Sequence, residues 1–302
     1  MRYLFADTLL KIAKKDKKIV LMTGDLGFNL FEELQKKLGN RFINAGVAEH
    51  NMVTAAAGMA YAGFKPWIYS IAPFVTIKVL EEIKNDVVIP HFNVKVIGLG
   101  GGYDYAIAGP THHSLGDVGS LLTIPGMKVY TPGFSEDVSF IVRKMHQEKS
   151  PSYLRLTKAK KSEVKVSKYL PFRRILAGNK ITVVALGSII NEVIGTILKL
   201  KTKNSIDLWL VSELPCEIPK NFLISLSKIK KIILIEEHFR TGGMGQYLSS
   251  ILLEKNIKVD KFFHHYSKGY ISKRYGSRDF YLKETGLDKD SIARTLNKLL
   301  RS

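Results

Sequence analysis

Three short stretches carry side chains that could do chemistry. The first is NAGVAEHNMVTAAAGMAYAGF, residues 44–64, where Glu49 and His50 stand ahead of a run of alanines and glycines. The strand-like RFINAG before it ends in Gly46, so Glu49 falls in the first turn of the next helix, where the helix dipole favours a negative charge. From Thr54 to Gly63 that helix carries small residues around its whole circumference. It can therefore approach another backbone closely, inside the molecule or at a subunit interface. An acid at the mouth of such a helix is expected to be buried. Burial raises a carboxyl pKa and lets the group hold or share a proton near neutrality, as acid/base work requires.

The second stretch is GPTHHSLGD, residues 109–117. Pro110 stiffens the loop, and His112 and His113 follow just before a helix. Neighbouring residues in extended backbone point to opposite sides, so one of the two faces a given pocket. A zinc site would need further ligands, and no H-x-x-x-H or C-x-x-C pattern is present. Loop histidines near the carboxyl end of a parallel strand suit substrate contact instead. The third feature is a pair of glycine loops, GLGGGYDY (98–105) and TGGMGQ (241–246), neither of which has the spacing of a phosphate-binding or dinucleotide-binding fingerprint. TGGMGQ opens a helix, so its amides could bind an anion, but a tight strand-to-helix turn explains it more simply. GLGGG is permissive backbone, expected to be mobile. His264 and His265, within FFHHY, read as packed core or interface histidines.

These residues sit between regular elements. Strand-length apolar runs at 18–24, 41–46, 65–70, 94–100, 127–133 and 152–156 alternate with helical stretches at 28–39, 49–63, 75–87, 114–122 and 135–147. Such alternation predicts an α/β fold with mostly parallel sheets covered by helices. The polar, basic KAKKSEVKVSKYLPFRRILAGNK reads as a linker over 158–179, after which the alternation restarts and ends on an amphipathic helix near 290–300, capped by Asp290 or Ser291. Two tandem α/β domains are expected, at 1–157 and 180–302.

Composition narrows the function. The 302 residues include one cysteine, Cys216, which excludes an internal disulfide framework and points to a reducing cytoplasm. No apolar run of about 18 residues suggests a membrane span. The net charge of +19 is spread over helix surfaces without a zinc-finger spacing, an RNP-like motif or a basic arm, so a nucleic-acid partner is not expected.

GVAEHNMVTAAAGMAYAGFKPWI resembles the segment that carries the catalytic glutamate in the transketolase group of thiamine-diphosphate enzymes. AGPTHHSLGDVGSLLTIPGMKVYTPG is similar to their Gly-Pro-Thr-His loop, IEEHFRTGGMGQYLSSIL to a segment of their third domain, and YGSRDFYLKETGLDKDSIARTLNKLL to its end. The four match in order over almost the whole chain. The family's Gly-Asp-Gly and paired asparagines, which hold Mg2+ and the diphosphate in an N-terminal domain, are absent from this sequence. The resemblance is therefore to the pyrimidine-binding and C-terminal domains, as in the C-terminal subunit of a split transketolase.

That resemblance implies thiamine diphosphate as cofactor, Mg2+ held by an N-terminal partner subunit, and no metal ligands in this chain. A heterotetramer with two copies of each chain follows from sites formed between subunits. Glu49 would hydrogen-bond the aminopyrimidine and promote loss of the thiazolium proton. Phe74 would stack on the pyrimidine, Val47 would pack against it, and Ile77 stands where transketolases carry another aromatic. His112 would face donor hydroxyls, and Arg2 and Arg155 would bind a sugar phosphate through guanidinium forks. Ala108 and Gly100 replace an acid and a histidine of the family, so the donor sugar is left open. A two-carbon ketol unit would pass from a ketose donor to an aldose. Two other readings stand: the beta subunit of a 2-oxo acid dehydrogenase decarboxylating component, and a non-catalytic assembly subunit.

Overall fold

The computed structural model describes residues 1–159 and 162–301. The chain runs through α1 (Arg2–Ala13), β1 (Ile19–Thr23), α2 (Glu32–Leu38), β2 (Phe42–Asn44), α3 (Glu49–Tyr61) and β3 (Lys65–Ile71). A short α4 (Leu80–Glu82) leads into a π-helical turn (Ile83–Val88), then β4 (Lys95–Leu99), α5 (Asp117–Leu122), β5 (Lys128–Tyr130), α6 (Val138–Gln147) and β6 (Ser152–Leu156). The second half comprises β7 (Phe172–Leu176), β8 (Ile181–Leu186), α7 (Ile190–Ile197), β9 (Ile206–Val211), β10 (Glu213–Leu214), α8 (Lys220–Ile229), β11 (Lys231–Phe239), α9 (Met244–Glu254), β12 (Lys261–Ser267), α10 (Arg278–Thr285) and α11 (Lys289–Arg301).

Two sheets result, ordered β10-β5-β6-β4-β3-β1-β2 and β12-β11-β8-β9-β7. Both are parallel apart from one antiparallel edge strand each, β10 beside β5 and β7 beside β9. This is the expected mostly parallel α/β architecture. Period-two alternation builds the layers. Ile19 and Leu21 face α1, α2 and α6, whereas Val20 and Met22 face Met52, Val53, Ala56 and Ala57 of α3. The core on the α3 side continues without a break into Val184, Trp209 and Leu234 of the second sheet. Among the described residues no helix is long and apolar enough to cross a membrane.

Several expectations need correction. Residues 172–176, expected as linker, form β7 at the edge of the second sheet. The basic character of the stretch suggests a linker, but Arg173 is buried against Asp137 at 2.6 Å, and Arg174 pairs with Asp207 at 2.9 Å while lying over Trp209. Lys160 and Lys161 of the same expected linker lie outside the described residues. The cap of α11 is Asp288, whose carboxylate accepts from the amides of Asp290 and Ser291, not either of those residues. Helices α1 and α10 have no counterpart among the expected helices. Residues 28–31 precede α2 rather than belonging to it.

Candidate active site

Strands β1, β3 and β4 lie side by side and parallel, so their carboxyl ends form one edge. Helix α3 starts at that edge with Glu49, which is 1% exposed. Ser70 of β3 donates its hydroxyl to Oε1 at 3.1 Å, and Lys78 donates its ammonium to Oε2 at 2.7 Å. Gly24, just after β1, leaves the space beside Oε1 clear, since a methyl there would lie 3.2 Å from that oxygen. Burial opposes ionisation of Glu49. The hydrogen bonds from Lys78, from its own backbone amide and from Ser70, together with the Lys78 charge, outweigh it and hold the pKa below the ordinary glutamate value. The expected upward shift is thus corrected. A cation bonded to the buried carboxylate makes Glu49 an ionised acceptor at neutral pH, not a stored proton.

An aromatic wall continues from this carboxylate. The Lys78 ammonium lies 5.6 Å from the centroid of Phe74, and the Phe74 ring meets His112 edge-on at 5.2 Å. His112 in turn lies 5.7 Å from Tyr105, and its Nδ1 is paired with Thr111. Val47 and Ile77, at 76% and 48% exposed, present bare apolar side chains on either side of Glu49 in the chain. The two loop histidines separate as expected. His113 is buried among Tyr103, Tyr270 and Tyr281 with both ring nitrogens bonded, and burial lowers its pKa. Arg2 sits exposed at the start of α1 with its guanidinium over Tyr3. Burial and Asp104 raise the Tyr105 pKa, and the charge of Arg2 opposes them.

Arg155 departs from its expected role. It is 5% exposed, its Nε lies 3.0 Å from Asp117, and Nη2 donates to the carbonyls of Ser114 and Glu237. Tyr153 donates to the same Asp117 oxygen at 2.7 Å. A guanidinium spent on internal acceptors is a clamp between segments, not an open fork for a sugar phosphate. The GLGGG loop also differs from expectation. It is pinned to Ser114 by paired backbone hydrogen bonds, and the glycines let side chains press directly on the backbone. A methyl on Gly98 would meet the Tyr153 hydroxyl at 2.6 Å, and one on Gly102 would meet the Glu237 carboxyl carbon at 2.5 Å. The loop is packed because those partners arrive from distant segments.

The sequence motifs converge here. Arg278 of YGSRD binds Glu237 of IEEH at 2.6 Å and Glu192 at 3.2 Å, and its Nε lies 3.7 Å from Asp104. Burial and the neighbouring Glu237 push the Asp104 pKa up to about 6 against the pull of Arg278. This cluster escaped sequence reading, although an acid pair in a buried strand and an Arg-Asp pair at a helix start were its visible signals. The amides of Met244 and Gly245 in the TGGMGQ turn are taken by an internal anion: Glu236 caps them at 2.7 and 2.8 Å, and His264 bonds that carboxylate. His265 is likewise satisfied, by Gly286 and Thr295. Among the described residues, no group of three or more His, Cys, Asp or Glu side chains could hold a metal ion.

Comparison with known proteins follows the same outline. The chain is 29% identical to an apulose-4-phosphate transketolase subunit of Phocaeicola vulgatus, with 96% of this chain and 94% of that protein covered. It is 28% identical to a 1-deoxy-D-xylulose-5-phosphate synthase of Clostridium perfringens, where 98% of this chain matches 48% of the relative. The chain thus spans about half of that longer relative. A solved structure titled "Split gene transketolase, inactive beta4 tetramer" shares the fold, with a TM-score of 0.82, 22% identity and coverage of 99% of this chain and 97% of that one. Residues 1–162 match the family model described as "Transketolase, pyrimidine binding domain". That match spans more than half of the 302 residues, and the chain belongs to the transketolase pyrimidine-binding domain family.

Proposed function

We propose that the chain is the C-terminal subunit of a two-polypeptide transketolase. It would move a two-carbon ketol unit from a ketose phosphate donor to an aldose acceptor, in the cytoplasm, with thiamine diphosphate as cofactor. The observation that carries this reading is the buried, ionised Glu49 at an open strand edge beside Phe74. Near-complete coverage of a relative that is named as one subunit of a transketolase, against half coverage of a longer synthase, supports the division into two chains.

The residues fit one end of the cofactor. An ionised carboxylate next to an aromatic ring and exposed apolar side chains suits a flat heteroaromatic ring carrying an N–H donor. The same carboxylate repels a diphosphate, which fits a partner subunit that holds the diphosphate and Mg2+. The pyrimidine-binding part is residues 1–157, and the C-terminal part begins with β7. When bound, thiamine diphosphate supplies the carbon nucleophile and electron sink for breaking a bond next to a carbonyl. Glu49 would accept a hydrogen bond from the ring, and Ser70 keeps the carboxylate oriented. Phe74 offers a stacking surface, with Val47 and Ile77 excluding water around it. His112 faces the donor hydroxyls, and Arg2 contacts the sugar phosphate. Ala108 and Gly100 leave the donor end without the family's acid and histidine. That favours a donor differing from the common pentose phosphates, as the apulose 4-phosphate in the name of the Phocaeicola vulgatus relative does.

Reconstitution tests this directly. The purified chain alone is expected to show no ketol transfer. Transfer should appear on mixing with thiamine diphosphate, Mg2+ and an N-terminal polypeptide that carries Gly-Asp-Gly and paired asparagines, in an assembly of two copies of each chain. Full activity without the partner, or none with it across a panel of ketose phosphates, contradicts the proposal.

A further inference from the structure

The two oxygens of Glu49 are held differently. Oε1 is enclosed by Ser70 and by the backbone at Gly24, whereas Oε2 meets Lys78. Lys78 lies on a 3-10 turn (Ile77–Val79) that follows Phe74 after Val75 and Thr76, and its side chain is 39% exposed, far more than its partner. The ammonium therefore stands on the solvent side of the carboxylate. It also stands near the ring of Phe74, at 5.6 Å from the centroid. Those are the two surfaces an incoming heteroaromatic ring would use. His50, next to Glu49 in the chain, is paired with Glu82 and does not compete for Oε2.

We propose that Lys78 is a resident cation that occupies the ring site of the cofactor-free chain and is displaced when the cofactor's pyrimidine binds to Glu49 and Phe74. This rests on the reading of Glu49 and Phe74 given above. A buried carboxylate without a counter-charge is costly, so the isolated chain needs a cation there. A long, flexible lysine whose side chain is 39% exposed can supply the charge and still swing out to water when the incoming ring brings its own donor to Oε2. The Ser70 hydroxyl stays with Oε1 and keeps the carboxylate aimed. Lys78 thus sets how tightly the ring binds without touching the reacting atoms.

The test uses the full chain carrying 13C-labelled glutamate carboxyl groups, with Glu49→Gln to assign the signal and thiamine as the probe. In wild-type protein Glu49 should titrate below an ordinary glutamate, and in Lys78→Met it should titrate above one. At a pH above both measured Glu49 titrations, Lys78→Met should bind thiamine at least about threefold more tightly than wild type, as loss of a competing pair with a partly exposed cation implies. Lys78→Arg, which keeps the cation, should leave the Glu49 titration low and binding close to wild type. If wild type binds thiamine and Lys78→Met binds equally or more weakly, the role of Lys78 is overturned while the ring site stands. If neither wild type nor Lys78→Met shifts the Glu49 signal on addition of thiamine, the ring site itself falls and this proposal with it.

Discussion

Arg2 and Arg155 are both arginines assigned to a sugar phosphate by the family resemblance, yet their surroundings give them opposite roles. Arg155 is buried and its guanidinium joins Asp117, Ser114 and Glu237. Arg155→Met would leave Asp117 buried without its counter-charge, a loss of about 3–5 kcal/mol, read as a lower urea midpoint of the isolated chain. Arg2→Met should leave that midpoint unchanged and raise KM for a phosphorylated donor in the reconstituted pair. Residue type and position made Glu49 and His112 legible in the sequence, because a first-turn acid and a stiffened histidine loop are local features. The partners that set the Glu49 charge were not legible, since Ser70 and Lys78 lie 21 and 29 residues away and meet it only through sheet order. The direction of its pKa runs against the sequence expectation for that reason.

Helix α3 and the segments around α5 show how small residues serve packing. On α3 the face carrying Met52, Val53, Ala56 and Ala57 is buried, whereas Gly58 faces outward with no atom within 4 Å of a built methyl. Gly58→Ala should therefore stabilise the isolated chain by about 0.5–1 kcal/mol. Gly119 of α5 is the opposite case. A methyl there would lie 2.8 Å from the backbone oxygen of Gly242, where α5 packs against the turn before α9. The neighbour is backbone, so Gly119→Ala should cost about 1–3 kcal/mol. Thermal unfolding of the two variants checks both signs. Alternating apolar and helical periods were enough to expect most strands and helices in order. β7 was hidden because its arginines are neutralised by Asp137 and Asp207, partners from other elements.

Across the whole molecule one apolar core spans both sheets, and β10 from the second half extends the first sheet. Stability should respond to a group buried in that first sheet. Lys95 of β4 is buried with its ammonium donating to the carbonyls of Glu148 and Ser150, and burial lowers its pKa from 10.5 to about 7. Between those values the unfolded chain binds the proton and the folded chain does not, so this group makes stability rise with pH across the window. Denaturant unfolding at a series of pH values should show that rise in wild type and a flatter profile in Lys95→Met. The tandem α/β architecture was legible because periodicity reports on layers. The convergence of Asp104, Glu192, Glu237 and Arg278 was not, because it depends on how the two sheets face each other. The central claim is that Glu49 supplies this chain's half of a site completed by a second polypeptide. Its most direct test is ketol transfer by Glu49→Gln in the reconstituted pair. The account predicts a complex that assembles normally and loses transfer by at least about 100-fold, the scale of a positioned acid/base group; full activity in that variant would contradict it.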